Sequence, residues 1–439
     1  MKNGKKGIGI QKVRKNAVDG RTIVSVLDIG SSKICCFIAE VKAHGGIEVI
    51  GIGHQASRGV RNGTIVDLKA AEGAVAHAVE AAENMAAAHL QGQPIKSVFV
   101  NVSGVHSLSQ QMMVDVGVTA QQVSDRDIRA ALMHAFSAAI PGKTDLIHAI
   151  PVSYSIDQTR GIQEPRGMIG DALGVNLTAI TANAAALHHL SAVVGQNHLE
   201  LDGFCNAAYA AGLSALTPDE MQLGCTVVDM GGGTTSIAVF AGGKLVYTAA
   251  IPVGGNHVTN DIARGLTTST VDAERIKTLY GYAMAGGIDE GAMIDVPPLG
   301  EEEHSQPNYV PRSYLTGIIQ PRVEETMELV RAKLVDSGIN KVAGRRVVLT
   351  GGASQLPGLC DIAKLVLDKQ VRLGRPQNIK GLAEATGGPA FSTAAGLLLY
   401  AAEHGNEIPV TQRPQSFQLP VLFNGQFMQK VTGWLKENW

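Results

Sequence analysis

One pattern occurs twice in this sequence and constrains the fold more than any other feature. In each copy a buried strand ends in an aspartate, and a turn rich in Gly, Ser and Thr leads into a second strand. The first copy spans Thr22 to Val41 and the second spans Cys225 to Phe240. A third strand and a helical stretch follow each copy. A repeated unit of this kind predicts two similar domains that face each other.

The residues of the two turns indicate a phosphate site. Glycines let backbone N–H groups approach phosphate oxygens without a Cβ in the way, and hydroxyls add further donors. Asp28 and Asp229 precede the turns, where a carboxylate can hold hydrated Mg²⁺ beside a nucleotide. A pair of ordinary hairpins is the alternative. The predicted phosphate contacts are Gly30, Ser31, Ser32, Gly231, Gly232, Gly233, Thr234 and Thr235.

A third glycine-rich junction lies near the end of the chain. Val347–Thr350 is predicted to be a strand, and Gln355–Asp368 is predicted to be a helix. Between them stand Gly351, Gly352 and Ala353. A strand–Gly-Gly–helix junction suits the close approach of backbone to a flat ring or a sugar, although many α/β turns share this pattern.

Charge limits the class of partner. The chain has 439 residues, with 37 Lys and Arg against 39 Asp and Glu, so its net charge is -2. This balance argues against a protein that neutralises nucleic-acid phosphates along its whole surface, and we expect no nucleic acid partner. A length of this order predicts two to four compact units.

The three glycine-rich elements resemble the phosphate-1, phosphate-2 and adenosine motifs of the actin-like ATPase superfamily, in the same order. The resemblance implies an α/β, actin-like two-domain fold with duplicated ribonuclease-H-like cores around a nucleotide cleft. Its ligands would be ATP and Mg²⁺. The carried-over contacts are Lys33 in the first loop and, around the ribose and base, Gly255, Asn256, Glu274 and Lys277. For Glu274 and Lys277 the alternative is an exposed helix pair at i, i+3.

Residues 147–170 narrow the family. They closely resemble a subdomain that is peculiar to the bacterial cell-division FtsA family. The matching residues are Ile150, Pro151, Tyr154, Asp157, Ile162, Pro165, Gly167, Met168 and Gly170. The resemblance implies self-association into filaments, tethering of FtsZ filaments to the inner face of the cytoplasmic membrane at the division septum, and recruitment of later division proteins. An ordinary insertion is the structural alternative. A sugar kinase or a pilus-assembly scaffold of the same fold is the functional alternative.

The motifs also divide the chain into segments. A flexible basic arm and a linker flank the folded part, and an amphipathic membrane-targeting helix ends it. The predicted ranges are 1–21 for the arm, 22–104 and 179–224 for the first core subdomain, 105–178 for the inserted interaction subdomain, 225–255 and 345–400 for the second core subdomain, 256–344 for its smaller subdomain, 401–424 for the linker and 425–439 for the terminal helix.

The terminal segment carries an apolar face at helical spacing, which is typical of a helix that lies in a membrane interface. Tryptophan suits the headgroup layer, so membrane lipid is the expected ligand. A terminal helix docked on the protein's own core is the alternative. The predicted membrane contacts are Phe427, Met428, Val431, Trp434, Leu435 and Trp439.

Two further expectations follow from the resemblance. Ala207 stands where many superfamily members place a Gln or Glu that orients the attacking water, so hydrolysis should be slow. Gln320–Asp336 is predicted to be a helix that exposes Arg322, Glu324 and Glu325. In the FtsA family this region helps dock the C-terminal tail of FtsZ.

Overall fold

Twenty strands and ten α-helices form the part of the chain that the structure describes. The computed structural model describes residues 16–18, 21–42, 46–138, 144–286, 291–299 and 308–403. The strands are β1 (Asn16–Val18), β2 (Arg21–Ile29), β3 (Lys33–Val41), β4 (Ile47–Ala56), β5 (Val60–Arg61), β6 (Thr64–Ile65), β7 (Ser97–Val102), β8 (Ser107–Gly117), β9 (Thr144–Ile156), β10 (Thr159–Ile162), β11 (Ala172–Asn183), β12 (Glu200–Asn206), β13 (Cys225–Met230), β14 (Thr235–Ala241), β15 (Lys244–Ile251), β16 (Met293–Val296), β17 (Asn308–Pro311), β18 (Arg346–Thr350), β19 (Gln370–Leu373) and β20 (Ile379–Lys380). The α-helices are α1 (Leu68–Leu90), α2 (Asp125–Ala138), α3 (Ala184–Gln196), α4 (Ala207–Ala215), α5 (Pro218–Leu223), α6 (Gly255–Leu266), α7 (Thr270–Tyr280), α8 (Arg312–Asp336), α9 (Leu359–Leu367) and α10 (Ser392–Glu403).

The two main sheets share one topology. The first has the order β12-β7-β2-β3-β4, and the second has the order β19-β18-β13-β14-β15. In the first sheet β2, β3 and β4 pair antiparallel, and β7 and β12 continue the sheet as parallel strands on the other side of β2. In the second sheet β13, β14 and β15 pair antiparallel, and β18 and β19 continue it as parallel strands on the other side of β13. The first sheet also gains β1 on β2 and β20 on β4. This is the duplicated α/β architecture that the repeated unit predicts.

Helices cover both faces of the first sheet, so its central strands are apolar nearly throughout. The neighbouring residues Cys35 and Cys36 show this, because successive side chains of a strand point to opposite faces. Cys36 packs in the core beneath α1, and Cys35 packs in the core beneath α10. Both thiols are buried, and burial raises the pKa of Cys35 to about 12.

The inserted subdomain is a four-stranded antiparallel sheet with the order β10-β9-β11-β8, and α2 packs against it. Asp127 fixes the start of that helix, since its carboxylate accepts hydrogen bonds from the Ser124 hydroxyl at 2.5 Å and from the Ser124 amide at 2.9 Å. The sheet also contacts the second core, where the Thr178 hydroxyl donates to the Leu245 carbonyl at 3.0 Å. The insertion therefore lies against both halves of the molecule.

Helix α10, the last one in the described residues, belongs by its packing to the first core. Strand β20 pairs with β4, and α10 packs on α4 and on the first sheet. The range 345–400, predicted as second core, is thus divided between the two cores. The reason is that α10 is apolar all round and needs two surfaces to cover it. The helix continues to Glu403, so it overlaps the start of the predicted linker at 401–424.

Helix α8 begins at Arg312, earlier than the predicted start at Gln320, and Pro321 lies inside it. None of the described helices is both long enough and apolar enough to cross a membrane. Most of the predicted basic arm, residues 404–424 of the predicted linker and the whole terminal segment with its six membrane contacts lie outside the described residues.

Candidate functional site

The two predicted phosphate loops close with the same hydrogen bond. In the first loop the Gly30 amide donates to the Lys33 carbonyl at 3.1 Å, and in the second the Gly231 amide donates to the Thr234 carbonyl at 2.9 Å. In both hairpins the aspartate pairs with the neighbouring strand, and one further pair follows it before the loop begins. The sequence repeat therefore corresponds to a repeat in backbone geometry.

The tips of the two loops meet. A Cβ on Gly232 would lie 2.7 Å from the Ser32 Cβ, and a Cβ on Gly233 would lie 2.7 Å from the Ser31 Oγ. Any larger residue at either glycine would push the loops apart. The structure thus brings the hydroxyl-rich first loop and the glycine-rich second loop into direct contact.

Asp28 and Asp229 stand behind the loops, and each is held by a residue from elsewhere in the chain. The Asn101 amide group donates to the Asp28 carboxylate at 2.8 Å and accepts the Ile29 amide at 2.7 Å. The Thr393 hydroxyl donates to the Asp229 carboxylate at 3.0 Å. These bonds orient both carboxyl groups at the base of the loops.

Burial governs the charge of this pair. Desolvation raises the pKa of Asp28 to about 7, with the charge of Asp229 adding to the rise and that of Lys33 opposing it. Desolvation likewise raises the pKa of Asp229 to about 6, against the hydrogen bond from Thr393 and the charge of Lys33. Two close carboxylates with little water suit a divalent cation, because Mg²⁺ takes one or two carboxylates together with waters and phosphate oxygens.

Lys33 stands at the end of the first loop, and its side chain contacts the residues just before α10. Its ammonium donates to the Ala390 carbonyl at 2.5 Å and lies 3.2 Å from the centre of the Phe391 ring. A cation over an aromatic face is attracted to it, so this contact orients the ammonium. In this structure Lys33 acts on the site through its charge.

The start of α6 docks on the second loop. The Gly255 amide donates to the Gly231 carbonyl at 2.9 Å, and the Asn256 amide donates to the Gly232 carbonyl at 2.7 Å. The Asn256 carboxamide also lies beside Gly232, with its oxygen 3.1 Å from where a Cβ would stand. Gly255 and Asn256 are therefore placed at the phosphate loops.

Lys277 joins α7 to this junction. Its ammonium donates to the Thr259 hydroxyl at 2.7 Å, to Glu274 at 2.6 Å and to the Gly255 carbonyl at 3.2 Å. The Lys277 side chain is only 15% exposed, whereas that of Glu274 is 53% exposed. The pair is therefore more than an exposed i, i+3 contact. A Cβ on Gly255 would lie 3.1 Å from the Ala353 Cβ, so the third glycine-rich junction closes the same space.

Gly351 connects that junction to the second aspartate. Its φ is +85°, and a Cβ there would lie 2.3 Å from the Asp229 carboxylate. Only glycine fits this combination of conformation and space. Gly352 follows Gly351 in the turn, and a Cβ on Gly352 would lie 3.8 Å from the Ala390 Cβ, an ordinary van der Waals contact. The three sequence motifs thus converge at one place in the fold.

The predicted partner residues do not form one open surface. Arg322 binds Asp261 on α6 at 2.5 Å and also pairs with Glu325. Glu324 accepts the Gln320 amide group at 2.7 Å and is half-buried. Of the three, Glu325 alone is exposed. Arg322 joins α8 to α6, since its partner Asp261 lies on α6, 61 residues earlier in the chain.

Ala207 is the first residue of α4 and is 7% exposed. The side chain of the preceding residue, Asn206, accepts the Tyr209 amide and caps the helix. A methyl group at this position can neither polarise nor orient water.

Sequence reasoning missed several residues of the site. Asn101 and Thr393 hold the two aspartates, but each is distant in sequence, and no local pattern marks either of them. Asn62 and Gly63 lie at the loop tips, where the Asn62 backbone is 2.8 Å from the place of a Cβ on Gly233. The Asn-Gly dipeptide is a strong hairpin signal and was available in the sequence.

Comparison with known proteins identifies the family. The family model described as "Cell division protein FtsA" matches residues 226–396, and the one described as "SHS2 domain inserted in FTSA" matches residues 103–181. The chain is 42% identical over 447 residues to cell division protein FtsA of Agrobacterium fabrum, with 99% of each chain covered. The chain belongs to the FtsA family of cell-division proteins. The FtsA of Escherichia coli strain K12 is 34% identical over 426 residues, covering 95% of this chain and 98% of that protein.

Solved structures show the fold that this FtsA-family chain shares with others. The structure titled "PilM-PilN type IV pilus biogenesis complex" matches with a TM-score of 0.62 at 17% identity, covering 87% of this chain and 98% of that one. MreB 5 of Spiroplasma citri bound to AMPPNP matches with a TM-score of 0.51 at 13% identity, covering 86% and 95%. The actin-like fold expected from the sequence is confirmed.

Proposed function

We propose that this FtsA-family protein binds ATP with Mg²⁺ between its two loops and polymerises. In this proposal it tethers FtsZ filaments to the inner face of the cytoplasmic membrane at the division septum and recruits later division proteins. The observation that carries the nucleotide site is the contact of Ser31 and Ser32 with Gly232 and Gly233. The loops' amides and hydroxyls would hold the phosphates, and Asp28 and Asp229 would hold the cation. A bound cation would offset the repulsion between the two carboxylates.

Asp28→Asn is expected to weaken Mg²⁺-dependent ATP binding about tenfold, or about 1.4 kcal/mol. The amide keeps the shape of the carboxyl group and can still accept from Asn101, so what is lost is the charge that would hold the cation. Isothermal titration with and without Mg²⁺ measures the effect. Asp295→Asn, on an exposed strand position, is the control and should bind as wild type does. Equal affinities for all three proteins would contradict the assignment.

Hydrolysis should be slow, because Ala207 supplies no group that could position water. The nucleotide would then act mainly as a ligand that controls assembly. A turnover rate like that of a metabolic kinase would contradict this part of the proposal.

Membrane attachment is proposed from the amphipathic pattern of residues 425–439. Each large apolar side chain contributes about 1.5–3 kcal/mol when fully buried, so one helix would bind reversibly, and assembly would multiply the anchors. We expect Trp434→Ala with Leu435→Ala to abolish most co-sedimentation with vesicles. Gln429→Ala with Glu437→Ala changes the opposite side of the helix and should have a small effect. Equal losses in both double variants would contradict an apolar membrane face.

The proposed FtsZ-tail site is a groove of about 430 Å³ along α8. It is lined by Glu325, Glu328, Leu329, Arg331, Ala332, Val335 and Asp336, so it offers apolar contacts with charged residues at its sides. Its position beside Glu325 supports the partner contact expected from the family.

Leu329→Asp is expected to weaken binding of an FtsZ C-terminal peptide about tenfold, since it places a charge in the apolar part of the groove. Fluorescence anisotropy of the labelled peptide measures the change. Leu223→Asp alters a more exposed leucine on α5 and serves as the control. If both variants bind the peptide as wild type does, the tail docks elsewhere.

A further inference from the structure

A short hairpin crosses the phosphate loops. Strands β5 and β6 are joined by Asn62 and Gly63, whose φ values of +48° and +74° give the tight turn that an Asn-Gly pair favours. The base of the hairpin is fixed, because the Ser57 amide donates to the Ser32 carbonyl at 3.0 Å. The hairpin is thus tied to the first loop at its base and reaches the cleft at its tip.

The tip contacts both loops. The Gly63 amide donates to the Ser31 Oγ at 2.8 Å, and the Asn62 nitrogen lies 2.9 Å from where a Cβ on Gly233 would stand. Because Ser31 accepts this bond with a lone pair, its own O–H proton stays available to a phosphate oxygen. A Cβ on Gly63 would lie 3.4 Å from Thr234. The hairpin therefore touches both predicted phosphate loops.

The same tip is bonded to the start of the inserted subdomain. The Thr64 hydroxyl and the His106 Nε2 are 2.7 Å apart, and His106 ends a short 3₁₀ turn that leads directly into β8. One imidazole thus joins the hairpin to the inserted sheet.

Val60 and Ile65 of the hairpin pack on the first core, and a cavity of about 20 Å³ lies beside the hairpin. Its lining includes Val60, Thr64, His106 and His189. A segment beside a cavity lacks partner atoms on one side, so its position depends more strongly on its hydrogen bonds. At the tip, the side-chain hydrogen bonds are those of Gly63 with Ser31 and of Thr64 with His106.

We infer that the hairpin of β5 and β6 is a third wall of the phosphate site and that His106 is the positioning residue that holds it. The inference rests on the proposed nucleotide site and adds a coupling between nucleotide binding there and the inserted subdomain. Binding of a nucleoside triphosphate and attachment of the inserted subdomain at His106 stabilise the same hairpin position, so each favours the other.

The test compares the full-length wild type with His106→Ala, Thr64→Val and His189→Ala. His189 lines the same cavity, and within the described part of the chain no hydrogen bond joins it to the hairpin. We expect His106→Ala and Thr64→Val to weaken Mg·ATP binding about fivefold, the effect of one hydrogen bond, and His189→Ala to bind as wild type does. Hydrogen exchange should show ATP-dependent protection of residues 60–65 and 104–117 in wild type and its loss in the first two variants.

The outcomes separate the two claims. Absence of ATP binding in wild type would overturn the proposed function, and this inference with it. Wild-type binding with no difference between His106→Ala, Thr64→Val and His189→Ala would overturn the inference alone. Lowered stability with unchanged ATP-dependent protection would show a merely structural role and would also overturn it. If His106→Ala does not fold, Thr64→Val decides, because valine keeps the shape and removes only the hydroxyl.

Discussion

Gly396→Ala is expected to destabilise the protein by about 3 kcal/mol or more, since overpacking a rigid contact costs this much. Gly396 lies in α10 where that helix crosses α4, and a Cβ there would stand 1.7 Å from the Ala210 carbonyl oxygen. The obstacle is backbone, so no side-chain rotation relieves it. The two helices would have to separate where α10 packs on α4.

Gly73→Ala is the matched control, because it also replaces a glycine inside a helix. A Cβ on Gly73, in α1, meets nothing within 4 Å. Alanine there should stabilise the protein by about 0.5–1 kcal/mol through helix propensity. Urea unfolding of both variants gives the two free energies. A Gly396→Ala protein as stable as wild type would contradict the helix crossing.

Arg372→Met is expected to cost about 3 kcal/mol, the effect of leaving a buried charge without its partner. Arg372 binds Glu220 through two nitrogens, at 2.5 and 2.8 Å, and the Glu220 side chain is only 4% exposed. This contact fastens α5 to β19 of the second core. Arg346 approaches Glu220 at 3.4 Å with a side chain that is 52% exposed, so Arg346→Met should cost less than about 1 kcal/mol.

The same ion pair predicts a pH dependence. Burial alone would raise the pKa of Glu220, but hydrogen bonds from Arg372 and the Thr217 amide, with the nearby guanidinium charges, lower it to about 2. A carboxyl group whose pKa is lowered in the fold stabilises it above its unfolded pKa, and that contribution disappears as pH falls through the folded pKa. Wild type should lose this stability between about pH 4.5 and pH 2, the range set by the two values. Arg372→Met should show a shallower loss in urea titrations over that range, and an unchanged slope would contradict the assignment.

Local chemistry made the loops predictable. Asp28 and Asp229 each end an apolar strand before a glycine turn, so strand, turn and carboxylate could be placed from a few neighbouring residues. The repeat then implied that the two units face each other. Prediction failed where a contact depends on residues far apart, as for Lys33 with Phe391 and Arg322 with Asp261. Nothing near either residue in the sequence reveals its partner.

The same limit applies to α10, the last helix that the structure describes. Its residues were predicted to belong to the second core, because they follow the other residues of that core in chain order. Only the pairing of β20 with β4 and the contact with α4 show that the chain returns to the first core. A division of the chain into consecutive segments therefore assigned β20 and α10 to the wrong core.

The most direct test of the nucleotide site is a crystal structure of the protein with Mg²⁺ and AMPPNP. We expect Ser31 and Ser32 to hold the triphosphate on one side and Gly231, Gly232 and Gly233 to hold it on the other, with the cation beside Asp28 and Asp229. Finding the ligand ordered in another crevice, or the two aspartates remote from it, would contradict the account.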